Sequence, residues 1–96
     1  MPTRDESIAI MADTFKILGD NTRLKIMLAC CKDEMSVSDI AENIGASPSL
    51  VSHHLRLMKA YRLIAGRSEG KRVFYGADDD HIKGIISDML NHVEEE

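Results

Sequence analysis

The sequence predicts a mainly α-helical domain that carries one β-hairpin, and three observations lead to it. Apolar residues recur at intervals of three and four along five stretches of the chain. Residues that start and stop helices punctuate those stretches. From Leu63 the helical spacing gives way to two short runs, Leu63 to Arg67 and Arg72 to Gly76, on either side of the polar tip Ser68, Glu69, Gly70 and Lys71.

The first stretch sets Ile8, Met11, Phe15 and Leu18 on one helical face and closes at Gly19. Asp20 restarts the chain, and the second helix carries Leu24, Ile26, Met27, Leu28 and Cys30, apolar on enough sides to lie at the centre of a core. Ser36 followed by Asp39 resembles a capping box with Asp in place of Glu, opening a short helix through Val37, Ile40, Ala41 and Ile44 that ends at Gly45. Ser47 and Pro48 are an N-cap and an N1 proline for the next helix, with Leu50, Val51, Leu55 and Met58. After the hairpin, a last helix capped within Asp78 to Asp80 aligns Ile82, Ile85, Ile86, Met89, Leu90 and Val93.

The chain has 96 residues, of which 44% are hydrophobic, so it forms a single domain over residues 1–96 with a modest core. A core of that size yields only a few kcal/mol of net stability, and a second subunit is a natural supplement, so a homodimer is expected. No apolar run approaches the roughly 20 residues that span a bilayer, and no basic segment precedes an apolar one at the N-terminus. The expected location is the cytoplasm, away from membranes. Cys30 and Cys31 are adjacent within an apolar helical pattern, which suits reduced packing thiols rather than a disulfide framework or a zinc knuckle.

The formal net charge of −4 conceals a segregation of sign. Between Ser47 and Arg72 stand Arg56, Lys59, Arg62, Arg67, Lys71 and Arg72 against the single acid Glu69. From Asp78 onward the chain is acidic, with Lys83 its only cation. The first region forms a cationic surface suited to phosphates, the second an anionic one.

Residues 37–61 carry what a helix-turn-helix requires: a small residue between the helices, one able to take positive φ in the turn, and an apolar anchor beneath the second helix. Ala41, Gly45 and Val51 fill those places. With the hairpin at about 63–76 as a wing, the whole becomes a winged helix-turn-helix. The helix from Ser47 to Tyr61 would enter the major groove of double-stranded operator DNA, with Ser47, Ser49, Ser52 and His53 at bases or phosphates. Arg56 and Lys59 are placed for phosphates, and Arg67, Lys71 and Arg72 in the wing for the backbone or minor groove. The enzyme class finds no support, since no nucleophile has a recognisable partner and no substrate pocket is suggested.

His81 and His92 lie eleven residues apart, close to three helical turns, so both project from one face of the last helix, about 79–95. At 1.5 Å per residue they are about 16 Å apart, too far to share an ion whose ligands stand about 2 Å away. Two antiparallel copies of the helix would form two equivalent sites, each taking Asp79 and His81 from one subunit and His92 and Glu95 from the other. Two nitrogens and two oxygens suit tetrahedral zinc. Asp79 and His81 converge only if Asp79 lies at or before the helix cap. The competing reading is a solvated helix face with acids favoured at its N-terminus by the helix dipole.

The strings FKILGDNTRLKIM, SVSDIAENIGASPSLVSHHLRLMKAYRLI, GKRVFYGADDDH and NHVEE resemble the ArsR/SmtB family of metal-sensing repressors over almost the whole chain. The resemblance implies a metal-free dimer that occupies an operator, blocks transcription and lets go when metal binds. Similarity to the zinc-sensing branch implies ligands in the order D-x-H then H-x-x-E or H-x-x-H, matched here by Asp79, His81, His92 and Glu95. Cobalt and nickel remain alternatives to zinc. Members that sense arsenic, cadmium or lead carry cysteines at the start of the first reading-motif helix, where this chain has Ser36 and Ser38. A second alternative is a thiol- or persulfide-switched repressor using Cys30 or Cys31, although the second cysteine that such relatives carry in the last helix is missing.

Overall fold

The computed structural model describes residues 1–95 and contains five helices and one hairpin. They are α1 (Arg4–Leu18), α2 (Asn21–Lys32), α3 (Val37–Ile44), α4 (Pro48–Ala60), β1 (Ile64–Glu69), β2 (Arg72–Ala77) and α5 (Asp80–Glu94). Local chemistry explains most boundaries. Thr3 and Glu6 form a reciprocal capping box at α1, which therefore begins well before Ile8. The Asp20 carboxylate accepts from the Arg23 N–H at 3.0 Å to start α2.

Ser36 and Ser47 accept from the N–H groups of Asp39 and Leu50, at 3.3 and 3.1 Å, to start α3 and α4. Asp39 departs from the expected capping box. One methylene shorter than Glu, its carboxylate makes no return bond to the Ser36 N–H and instead faces Arg72 at 3.6 Å. Gly45 ends α3 with φ 71°, a conformation costly for any residue bearing a Cβ. Past the end of α4 the same left-handed conformation falls on Arg62, φ 57°, while the Leu63 N–H donates to the Met58 carbonyl to close the helix.

The core lies where α2, α3 and α4 meet the start of the hairpin. Ile26, Met27, Ile40, Val51, Met58, Leu63 and Ile64 are each at most 1% exposed. The reading-motif requirements hold in three dimensions, with Ala41 buried in the helix contact and Val51 fully buried under α4. Not every apolar residue joins this core. On α2, Leu24 and Leu28 turn away from it into a groove shared with Ile86, Met89, Leu90 and Val93 of α5. On α1 only Leu18 is buried, while Ile10, Met11 and Phe15 line an open apolar cleft against Ile82 and Ile85. The α1 and α5 stripes thus belong to a second, uncovered apolar surface.

The hairpin pairs Ile64 with Ala77 through Glu69 with Arg72, leaving Gly70 and Lys71 as a two-residue tip. Gly70 takes φ 62°, the positive angle that the first position of a II′-type turn demands. Met35 adds a one-residue third strand, exchanging two backbone hydrogen bonds of 3.0 and 2.7 Å with Tyr75. This ties the wing to the connection between α2 and α3. Among the described residues no helix is long and apolar enough to cross a membrane.

Candidate nucleic-acid interface and metal centre

Burial of Val51, Leu55 and Met58 fixes the roll of α4 and sends its other side outward. Ser49, His53, Arg56 and Lys59 are exposed and Ser52 is half-buried, all on one stripe at intervals of three and four, with the cap residue Ser47 exposed at its head. The residues expected from this helix therefore share one outward-facing stripe. The neighbouring His54 points elsewhere, to within 3.4 Å of the Arg23 guanidinium. A polar groove lined by Ser52, Arg56, Lys59 and Tyr75 runs between α4 and β2.

The wing cations divide into two kinds. Arg67 pairs with Glu34 at 3.1 Å and with Glu69 at 3.0 Å. Arg72 donates to the Ser36 hydroxyl at 2.9 Å and faces Asp39, and both guanidiniums flank the Phe74 ring at 5.5 and 5.1 Å from its centre. These two arginines fasten the hairpin to the body. Lys71, at the tip, is exposed. Charge alone marks all three alike in the sequence, because Glu34 and Asp39 lie more than thirty residues away and no local pattern signals the pairing.

At the head of α5, Asp79 is the N-cap, the position that convergence with His81 required. One carboxylate oxygen accepts from the Ile82 N–H at 3.0 Å, and the other lies 3.5 Å from His81 Nδ1. The Ile82 N–H, and secondarily His81, hold the Asp79 carboxyl below the usual range, so it stays an anionic donor. The His81 side chain is 92% exposed. His92 and Glu95 lie exposed at the opposite end of this 15-residue helix. Among the described residues no group of three or more ligating side chains comes together within one chain. An oxygen and a nitrogen donor stand ready at the start of α5, and a further nitrogen and oxygen at its end. The four fit a shared tetrahedral ion only as halves supplied by two chains.

The cysteines have packing surroundings. Burial pushes the Cys30 thiol up to about 12, and burial also raises Cys31, with Lys83 opposing it. Cys30 lacks the electropositive, open setting of a reactive thiol, and at half-buried Cys31 burial outweighs the Lys83 charge.

A winged helix-turn-helix with a cationic reading stripe defines a class, the DNA-binding transcription regulators. Comparison with known proteins narrows it. Residues 20–65 match the bacterial regulatory protein, arsR family. The chain is 40% identical over 86 residues to a cadmium resistance transcriptional regulatory protein, the CadC homolog of Staphylococcus aureus, covering 88% of this chain and 71% of that one. It is 35% identical over 85 residues to the transcriptional repressor SmtB homolog of Synechocystis sp., covering 88% of this chain and 64% of that one. Its fold matches the homodimeric winged helix-turn-helix DNA-binding domain Mb0332 of Mycobacterium bovis with a TM-score of 0.87 at 23% identity, over 100% of this chain and 94% of that fragment. The chain belongs to the arsR family and is a DNA-binding transcription regulator rather than an enzyme.

Proposed function

We propose that this protein is a metal-responsive repressor, a homodimer that holds operator DNA when metal-free and releases it on binding zinc at two sites shared between subunits. The observation that carries the reading is the division of donors on α5, with Asp79 and His81 at its cap, His92 and Glu95 at its far end, and an uncovered apolar flank between them. Antiparallel pairing of that flank with a second copy covers the apolar surface and unites the two half-sites in one step. The exposed faces of α1 and α2 extend the same interface.

A bound zinc ion would supply charge and a tetrahedral link between the two helices. The chain's own residues do the rest. Asp79 fixes the start of α5 and orients His81, and the α5 stripe sets the angle between subunits. That angle sets the spacing of the two α4 helices, which must meet half-sites about one helical turn apart. Ser47, Ser49, Ser52 and His53 face bases and nearby phosphates, Arg56 and Lys59 the phosphates, and Lys71 at the wing tip the adjoining backbone, while Arg67 and Arg72 hold the wing in place for it. The relatives named for cadmium resistance and for SmtB support a metal-linked role, and the mixed nitrogen and oxygen donors favour zinc over soft ions.

The test is a metal titration of the wild type and of His92→Ala, following stoichiometry and operator affinity at fixed salt. The wild type should take up two zinc ions per dimer and lose affinity by roughly five- to 150-fold. His92→Ala should bind DNA normally and lose both effects. Tighter DNA binding with zinc, or full zinc uptake by a monomer, would overturn the reading. Parallel titrations with cobalt and nickel rank the metals.

A further inference from the structure

Arg23, the third residue of α2, holds three helices at once. Its backbone N–H is bonded to the Asp20 cap, its Nε donates to the Ile17 carbonyl in the last turn of α1 at 2.7 Å, and its Nη1 lies 3.4 Å from His54 Nδ1 on α4. A guanidinium only donates, so His54 must accept at Nδ1 and carry its proton on Nε2. Burial, and then the Arg23 charge, hold His54 below the ordinary imidazole range and keep that acceptor available, although Asp20 pulls the other way and His53 adds a minor push in the same direction.

Each end of this bridge matters. The Ile17 carbonyl belongs to the C-terminal turn of α1, whose carbonyls lack helical partners, and α1 has only Leu18 buried. The α1 face bearing Ile10, Met11 and Phe15 shares its cleft with Ile82, Ile85 and Ile86 of α5. At the other end, His54 follows His53 and Ser52, the centre of the reading stripe.

We propose that Arg23 is a positioning residue that transmits the placement of α1 and α5 to the recognition helix α4 through its bonds to Ile17 and His54. The proposal rests on the function inferred above and supplies its internal route. A change in the angle between paired α5 helices shifts the α1 face that lines the same cleft and moves the Ile17 carbonyl. Because Asp20 pins the base of Arg23, the displacement reaches His54 and tilts α4 against its DNA.

The experiment uses the full chain, zinc chloride, and a duplex selected from a random library by the metal-free wild type. Arg23→Met and His54→Leu should bind zinc with unchanged stoichiometry and affinity. Their zinc-driven loss of DNA affinity should shrink to less than about threefold against the wild type's roughly five- to 150-fold. His54→Gln, whose amide oxygen can still accept from Arg23, should restore the full response. If Arg23→Met fails to fold, the two His54 variants decide. A responsive wild type whose His54→Leu variant responds equally overturns this proposal alone. A wild type indifferent to zinc overturns it together with the repressor reading.

Discussion

Arg62 adopts a left-handed backbone that glycine fills at Gly45, and it does so where α4 must stop before the hairpin. The conformation costs a residue with a Cβ about 1 kcal/mol or more, partly offset by the freedom glycine has in the unfolded chain. Arg62→Gly should therefore stabilise the protein by roughly 0.5–1 kcal/mol, read as a rise of a few degrees in Tm. Cys30 gives a second test at this scale. Burial pushes its thiol up to about 12, so far less thiolate forms at neutral pH than at an unperturbed cysteine. An alkylating reagent at pH 7.5 should leave Cys30 unmodified in the native protein and label it at once in denaturant. Rapid native labelling would revive a thiol switch.

The wing separates fastening from reading. Arg67 and Arg72 are occupied by Glu34, Glu69, Ser36 and Asp39, whereas Lys71 stands at the tip. Each DNA phosphate left without its cation lowers the slope of log affinity against log salt by about 0.9. With two wings in the proposed dimer, Lys71→Ala should reduce that slope by about 2, and Arg67→Ala should change it less while loosening the hairpin. Equal effects would place both cations at the backbone. The elements that position the reading face were legible because their signals are local: Ser36, Gly45, Ser47 and Pro48 each state a cap or a turn within a few residues. The same holds for the Thr3 and Glu6 box, a readable signal that the apolar spacing from Ile8 onward overshadowed. What could not be read is long-range. Nothing around Met35 announces its pairing with Tyr75, and the alternation of α2 does not reveal that Leu24 and Leu28 face a different surface from Ile26 and Met27. The separation of His81 from His92 at opposite ends of α5 was legible because helix rise alone sets it.

For the molecule as a whole, the apolar surface of α1, α2 and α5 and the cationic surface of α4 and the wing lie on different elements, so assembly and DNA binding do not compete for the same residues. If the apolar surface is covered by a second copy, dissociation and unfolding are linked, and the melting temperature depends on concentration. Thermal melts between about 1 and 100 μM should show Tm rising with concentration. A Tm constant over that range would require a protomer stable alone with its apolar clefts in water.

That linkage bears most heavily on α1. Fifteen residues that bury only Leu18, with Ile17 packed beside it, in their own protomer make a helix with bonds along its length and little floor beneath it, and such a length is marginal in water by itself. In the proposed dimer its order is borrowed from the neighbour. A cell holding too few copies for pairing would possess an arm that frays, so scarcity would leave this regulator unfinished as well as outnumbered.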